Sequence, residues 1–278
     1  MGGAERSARK RRQAQTGTGT APAVAKHKSG ERKKVVIGVV VVVLLAGAVL
    51  GGVIYTNNKK NATEDQEIAA KGTTELDDAA TGAGDEATYP VHRDGAVVAV
   101  GEDGATVTLD VYEDFLCPVC RAFEESYGDD LEKHVMDGTL RLRYHMLPML
   151  NDRSDPPGYS MDSANAGLCA ADADRFPAFH VSLFDAQPEE GARGWDKQQL
   201  ARLGKDLGIT DPSFKSCVDS GEYNGILQAN LDEVRSTEYL QQDFDGQRGF
   251  GTPTVAKGQE VLDTSDPKWL DKALGDAR

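Results

Sequence analysis

The chain has 278 residues, 39% of them hydrophobic, enough for one or two packed domains, and a formal net charge of −14. The charge is unevenly spread: residues 1–34 hold ten Lys and Arg against Glu5 and Glu31, a net of +8, which leaves −22 for everything after them. A body this acidic repels phosphate backbones, so nucleic-acid binding by the folded part is excluded as a leading reading.

Residues 35–55 (VVIGVVVVVLLAGAVLGGVIY) are 21 uncharged residues between Lys33-Lys34 and Lys59-Lys60. A membrane-spanning helix needs about 20 such residues. The apolar region of a secretion signal is usually about 7 to 15 and has a shorter basic leader. This segment is therefore predicted to be a transmembrane anchor, with the small residues Ala46, Gly47 and Ala48 leaving a cleaved signal as the alternative. The excess of Lys and Arg assigns the basic tail, 1–34, to the cytoplasm and the rest to the outside. Membrane lipid is thus the first expected partner, through the anchor and through attraction of the tail to anionic headgroups. Residues 56–88 contain no aromatic residue and few aliphatics. They are expected to form a disordered acidic linker, because so little apolar surface does not offset the entropy of ordering.

Residues 89–278 have the size of one domain with an insertion. Two β-type runs come first, Ala96–Val100 and Thr106–Tyr112, where Val107, Leu109 and Val111 alternate with polar partners. A helix over about 118–136 and a strand over Leu140–Leu147 complete a β-α-β start. From about 160 to 238 the spacing is helical in four stretches, SANAGLCAADADRF, AFHVSLFDAQ, KQQLARLGKDLG and YNGILQANLDEVRS, separated by turn signals at Gly208, Asp211-Pro212 and Gly221. The chain returns to β at Thr254-Val255-Ala256 and Val261-Leu262. It ends in a helix after Pro267 with Trp269, Leu270, Ala273 and Leu274 on one face.

All four cysteines, Cys117, Cys120, Cys169 and Cys217, fall on the predicted outer side, where disulfides persist. Cys117-Pro118-Val119-Cys120 follows a predicted strand and opens a helix. At a helix N-terminus the unpaired N–H groups and the dipole favour negative charge. The Cys117 sulfur is therefore expected to be a stabilised thiolate with a depressed pKa, and Cys120, one turn on, to be the buried resolving thiol. Pro118 suits the first helical turn. A structural zinc site needs four ligands, and the other two cysteines lack a paired spacing. Cys169 and Cys217 are read as a structural disulfide, because an exported domain has little reason to keep two reduced thiols; a second redox relay is the weaker alternative.

The residues VYEDFLCPVC (111–120) and GTPTV (251–255) resemble the DsbA-like branch of the thioredoxin superfamily, extracytoplasmic thiol-disulfide oxidoreductases. The stretches SANAGLCAAD, RFPAFHVSLFDAQ and FKSCVDSGEY are similar to that family's helical domain. The resemblance covers residues 96–277. It implies an α/β thioredoxin fold with a helical insertion at about 158–240, preceded here by a single N-terminal transmembrane helix. It also implies that Pro253 is a cis proline beside the active-site cysteines, with Thr252 exposing its backbone to an extended substrate.

Two departures from the family pattern stand out. The position six residues before the first cysteine, where many relatives carry a buried proton-relaying carboxylate, is Val111, with Asp110, Glu113 and Asp114 nearby. The dipeptide between the cysteines lacks His, which implies a milder oxidant. His180 is expected to be a packed core or boundary histidine, and His92, His134 and His145 show no metal spacing.

The expected function is introduction of disulfide bonds into exported proteins. Cys117 and Cys120 are catalytic and Thr252 and Pro253 dock the substrate, with no bound cofactor or metal. The resemblance implies a membrane quinone-linked reoxidant of the DsbB or VKOR type. A reductase or isomerase on the same fold, or a redox-inert binding module, are the alternatives.

Overall fold

The computed structural model describes residues 56, 59–71, 89–244 and 246–275. The predicted anchor at 35–55 and the basic tail lie outside them. Among the described residues no helix is long and apolar enough to cross a membrane.

The domain begins with an edge hairpin, β1 (Val91–Asp94) and β2 (Val97–Val100), turned at Gly95, whose φ of 59° suits a residue without a Cβ. Strand β3 (Val107–Glu113) leads through Asp114-Phe115-Leu116 into α1 (Pro118–Met136), and the chain returns as β4 (Leu140–Met146). β3 and β4 pair in parallel, with Leu109 opposite Leu142 and Val111 opposite Tyr144, and α1 is the crossover such a pair requires. Five helices follow: α2 (Tyr159–Ala171), α3 (Phe176–Asp185), α4 (Lys197–Asp206), α5 (Pro212–Ser220) and α6 (Asn224–Ser236). A short hairpin, β5 (Gln242–Phe244) and β6 (Gln247–Gly249), precedes β7 (Thr254–Lys257), β8 (Glu260–Val261) and α7 (Trp269–Gly275). The main sheet runs β1-β2-β4-β3-β7-β8, so β3 is interior and both its faces are buried.

One face of the sheet meets the large core. Val107, Leu109 and Val111 lie there with Phe123, Leu131 and Val135 of α1 and with Phe176 and Phe179 of α3. Trp269 of α7 packs against Phe123 and Tyr127, which holds the C-terminal helix on α1. Tyr112 and Ala256 face the other side, where they join Leu147, Leu231, Val234 and Leu240 in a smaller cluster.

Two expectations need correction. The sequence reading marked four helices in the insertion, with Asp211-Pro212 only as a turn signal between two of them, whereas five form. Asp211 is the N-cap of α5, its side chain accepting from Ser213 N at 2.8 Å, and Pro212 fills the first helical position. The segment 56–88, expected to be disordered throughout, is docked at residues 59–71. Ile68 is only 4% exposed there. Thr63 Oγ1 donates to Gly194 O at 2.8 Å, Gln199 Nε2 donates to Gln66 O at 2.8 Å, and Lys71 N donates to Ser182 Oγ at 2.8 Å. Apolar area is small here, but one buried isoleucine and hydrogen bonds that engage the main chain hold this stretch without an aromatic residue.

Candidate active site

The site is built where β3 ends. Asp114 makes the turn: its buried carboxylate accepts from Leu116 N at 2.8 Å and from Leu150 N at 2.7 Å, which ties the strand end to the loop leaving β4. Burial raises this carboxyl to about 6 against those hydrogen bonds. Gln187, just past α3, donates its amide to the carbonyls of both Phe115 and Cys117, each at 3.0 Å.

Cys117 is the N-cap of α1, with extended φ and ψ, and its Sγ accepts from Cys120 N at 3.4 Å. Pro118 occupies the first helical turn, where no donor is lost. Both thiols are free and buried, while Val119 between them is 62% exposed. Their protonation is driven apart. A hydrogen bond from the Cys120 thiol lowers Cys117 to about 6; burial opposes this, and the Thr252 side chain and the N–H groups of Cys120 and Val119 add to it. Burial, and donation of its own proton to Cys117, push Cys120 well above the ordinary thiol range. Across from them Cys117 Sγ lies 3.4 Å from Thr252 O, and the Thr252-Pro253 bond is cis. The residues chosen from sequence on separate elements are thus brought together: Cys117 and Cys120 on α1, and Thr252 and Pro253 ahead of β7.

Cys169 and Cys217 lie in the helical part, where they form a disulfide between α2 and α5 with Cα atoms 6.0 Å apart. Asn165 braces the same joint, donating to Cys217 O and accepting from Tyr223 N.

The sequence reading missed a cluster beneath the thiols. Glu113 is wholly buried, and its Oε2 meets His180 Nε2 at 3.0 Å. Glu124, one turn past Cys120 on α1, brings its carboxyl to the same place, so that one ligand atom from each of Glu113, Glu124 and His180 lies within 4.8 Å of the others. Burial raises Glu113 well above the carboxylate range. Burial first and the charge of Glu113 second raise Glu124 to about 8. Burial lowers His180, whose ring is therefore neutral. Glu113 Oε1 and Glu124 Oε1 are both shut off from solvent without a hydrogen-bond partner. Three protein donors are one short of a closed structural zinc shell. The signal for Glu113 was available, since it continues the inward series Val107, Leu109, Val111 by the period of two. Glu124 carried no comparable signal.

A parallel β-α-β unit whose helix opens on Cys-x-x-Cys, faced by a cis proline ahead of an antiparallel strand, defines a thioredoxin-fold domain. A sequence profile of the family described as Thioredoxin matches residues 93–276, and the chain belongs to that family. It is 34% identical over 185 residues to the serine/threonine-protein kinase PknE of Mycobacterium tuberculosis, covering 64% of this chain and 31% of that protein, so the chain spans about a third of that relative's length. Disulfide bond formation protein D of Bacillus subtilis is 25% identical over 168 residues, 59% of this chain and 68% of that one. Among solved structures, reduced DsbA from Mycobacterium tuberculosis superposes with a TM-score of 0.54 at 26% identity, covering 66% of this chain and 92% of that one.

Proposed function

We propose that this protein is an extracytoplasmic thiol-disulfide oxidoreductase that introduces disulfide bonds into exported proteins through Cys117 and Cys120. The observation that carries the reading is the inequality of the two thiols, one lowered to about 6 at the helix start and one buried and raised. A stabilised Cys117 thiolate is a good leaving group and favours the dithiol, which makes the disulfide form an oxidant.

In the oxidised protein a client thiolate attacks Cys117 Sγ, and the electron pair of the Cys117–Cys120 bond leaves on Cys120. A second client thiolate then attacks the client sulfur of the mixed disulfide and expels Cys117 as thiolate, so the client gains a disulfide and the protein keeps both electrons as a dithiol. Thr252 and Pro253 border the attacked sulfur, where an extended client segment pairs with the main chain. Reoxidation falls to a membrane quinone-linked partner of the DsbB or VKOR type, and residues 35–55 hold the domain beside it at the outer face of the membrane. The names of the relatives, DsbA and disulfide bond formation protein D, agree with this direction.

The test is the reduction potential of Cys117–Cys120 in the detergent-solubilised full chain, with the second disulfide tracked by mass. A value near about −120 mV supports disulfide donation, and one near about −270 mV, as in thioredoxin, overturns it in favour of a reductase.

A further inference from the structure

Glu113 from β3, Glu124 from α1 and His180 from α3 converge on one point, and one donor atom from each lies within 4.8 Å of the other two. Glu113 Oε2 and His180 Nε2 are already 3.0 Å apart. Bonds of about 2.0–2.2 Å to a common ion set neighbouring donor atoms roughly 3.0–3.5 Å from each other, so this pair has the spacing of one edge of a coordination shell. Glu124, the least buried of the three, closes the remainder by rotating its side chain. Donors at 113, 124 and 180 have no ligand spacing along the chain, which is why the sequence reading expected no metal.

The same atoms are short of partners. Glu113 is 0% exposed, and its Oε1 is buried without a hydrogen-bond partner, as is Glu124 Oε1. Carboxylate oxygens kept from water need a proton or a cation in its place. His180 is locked in position: the rings of Phe115, Tyr144, Phe176 and Phe184 lie 4.7 to 5.6 Å from its own, so the imidazole cannot swing away from Glu113. A neutral imidazole with its proton on Nδ1 offers Nε2 as a donor atom. Two carboxylates and one divalent cation sum to zero, which is how buried charge is kept at least cost.

A way in exists. A cavity of about 1000 Å³ opens between α1, α3 and the β1-β2-β4 side of the sheet, and both Glu124 and His180 line it. Glu125, Asp129, Glu132, Asp174 and Asp185 line it too, against Arg175 as the one lining Lys or Arg among the described residues, so its field draws cations inward. We propose that Glu113, Glu124 and His180 form a binding site for a divalent first-row transition ion of the zinc type, with its open coordination positions facing this cavity. The imidazole donor selects such an ion over magnesium and calcium, which take oxygen ligands. Three protein donors leave room for solvent in the remaining positions, as in open zinc sites. The ion would join β3, the cysteine-bearing α1 and the insertion helix α3, and its uptake would stabilise the folded chain by mass action. None of this depends on the redox reading of Cys117 and Cys120.

The experiment uses the detergent-solubilised full chain, stripped with EDTA and with Cys117 and Cys120 oxidised to their disulfide, so that no thiolate competes for the probe. Zinc chloride titrated into it by calorimetry is expected to bind at one ion per chain and to raise the melting temperature. Cobalt(II) chloride in place of zinc should give the visible bands of a nitrogen and oxygen site, without a sulfur-to-cobalt charge-transfer band. Glu124→Gln, at the edge of the cavity, should weaken zinc binding at least about a hundredfold, the upper end of what loss of a mere supporting residue costs. Glu113→Gln should do the same, while Asp129→Asn, on the cavity wall and outside the cluster, should bind zinc as the wild type does. No zinc binding by the oxidised wild type, or undiminished binding by a folded Glu124→Gln chain, overturns the site. So does binding that appears only after reduction, which would assign the zinc to Cys117 and Cys120. Calcium or magnesium bound as tightly as zinc overturns the choice of ion. If neither glutamine variant folds, the wild-type cobalt spectrum decides, and a thiolate band or no band at all counts against the site.

Discussion

The Gln187 side-chain amide donates to the main-chain carbonyl of Cys117 at 3.0 Å, from a helix end 70 residues away. The same nitrogen reaches the Phe115 carbonyl, so one residue of the helical insertion fixes the peptide path on both sides of Leu116. Gln187→Ala leaves the part-buried Phe115 carbonyl without this donor, while the Cys117 carbonyl keeps Arg121 N at 3.2 Å. It should destabilise the protein by about 1–3 kcal/mol, read by urea denaturation, and slow alkylation of Cys117. Unaltered stability together with unaltered alkylation would remove Gln187 from the site.

The pH dependence follows from Cys117. Its folded pKa is depressed from the ordinary 9.0 to about 6. A depressed group contributes stability that is fully present above the unfolded value and lost as pH falls through the folded one. The reduced form should therefore gain on the oxidised form as pH rises from about 6 to 9, and the advantage should vanish below about 6. The buried carboxyls act in the opposite sense over a lower range, because Glu124 is raised from 4.5 to about 8, but they are present in both redox forms. Melting temperatures of the two forms between pH 5 and pH 9 give the difference directly. A gap independent of pH would mean that Cys117 is an ordinary thiol.

The two active-site cysteines should fail in different ways. Cys120→Ser keeps the attacking sulfur and loses the resolving one, so mixed disulfides with client proteins should accumulate, visible as adducts on non-reducing gels. Cys117→Ser should form none, since Cys120 is fully buried behind it. Equal trapping by both variants would contradict the assignment of roles.

The disulfide between Cys169 and Cys217 spans 48 positions and joins α2 to α5. Replacing both by Ala should cost roughly 4 kcal/mol in the chain-entropy account, measured by denaturant unfolding. The Cys117–Cys120 potential should stay where it was. A shift in that potential would instead support the reading of a second redox relay.

Ile68 anchors the docked segment against the domain. Ile68→Asp places an unpaired charge in that contact and should expose residues 59–71 to limited proteolysis, while the core from Tyr89 onward resists digestion. Equal resistance of variant and wild type would show that the main-chain hydrogen bonds alone hold the segment.

Much of this architecture is legible along the chain because period and punctuation agree. Alternation marks β3, Pro118 marks the start of α1, and the spacing of Trp269, Leu270 and Ala273 marks α7. Legibility fails where one residue serves two grammars. Asp211-Pro212 signals a turn and a helix start equally well, and only the Ser213 N–H that Asp211 receives decides between them. β1 carries Val91, His92, Arg93 and Asp94, too polar to announce a strand, and it exists because β2 offers an edge. In the site the cysteine pair is local and could be read. Glu124 and Gln187 come into play only after α1 and α3 have packed, so no window of sequence contains their partners.

Strand β3 serves both its surfaces at once. Val107, Leu109, Val111 and Glu113 supply the floor beneath the thiols, while Asp110 meets His145 at 2.9 Å and Tyr112 meets Tyr239 on the reverse. Because side chains alternate with a period of two, losing or gaining one residue here would exchange the two surfaces wholesale, sending Tyr112 under the cysteines and Glu113 among Leu147 and Leu231. The interval from Val107 to Cys117 is therefore a ruler: its markings tolerate replacement one at a time, but its length is not free to change by an odd step.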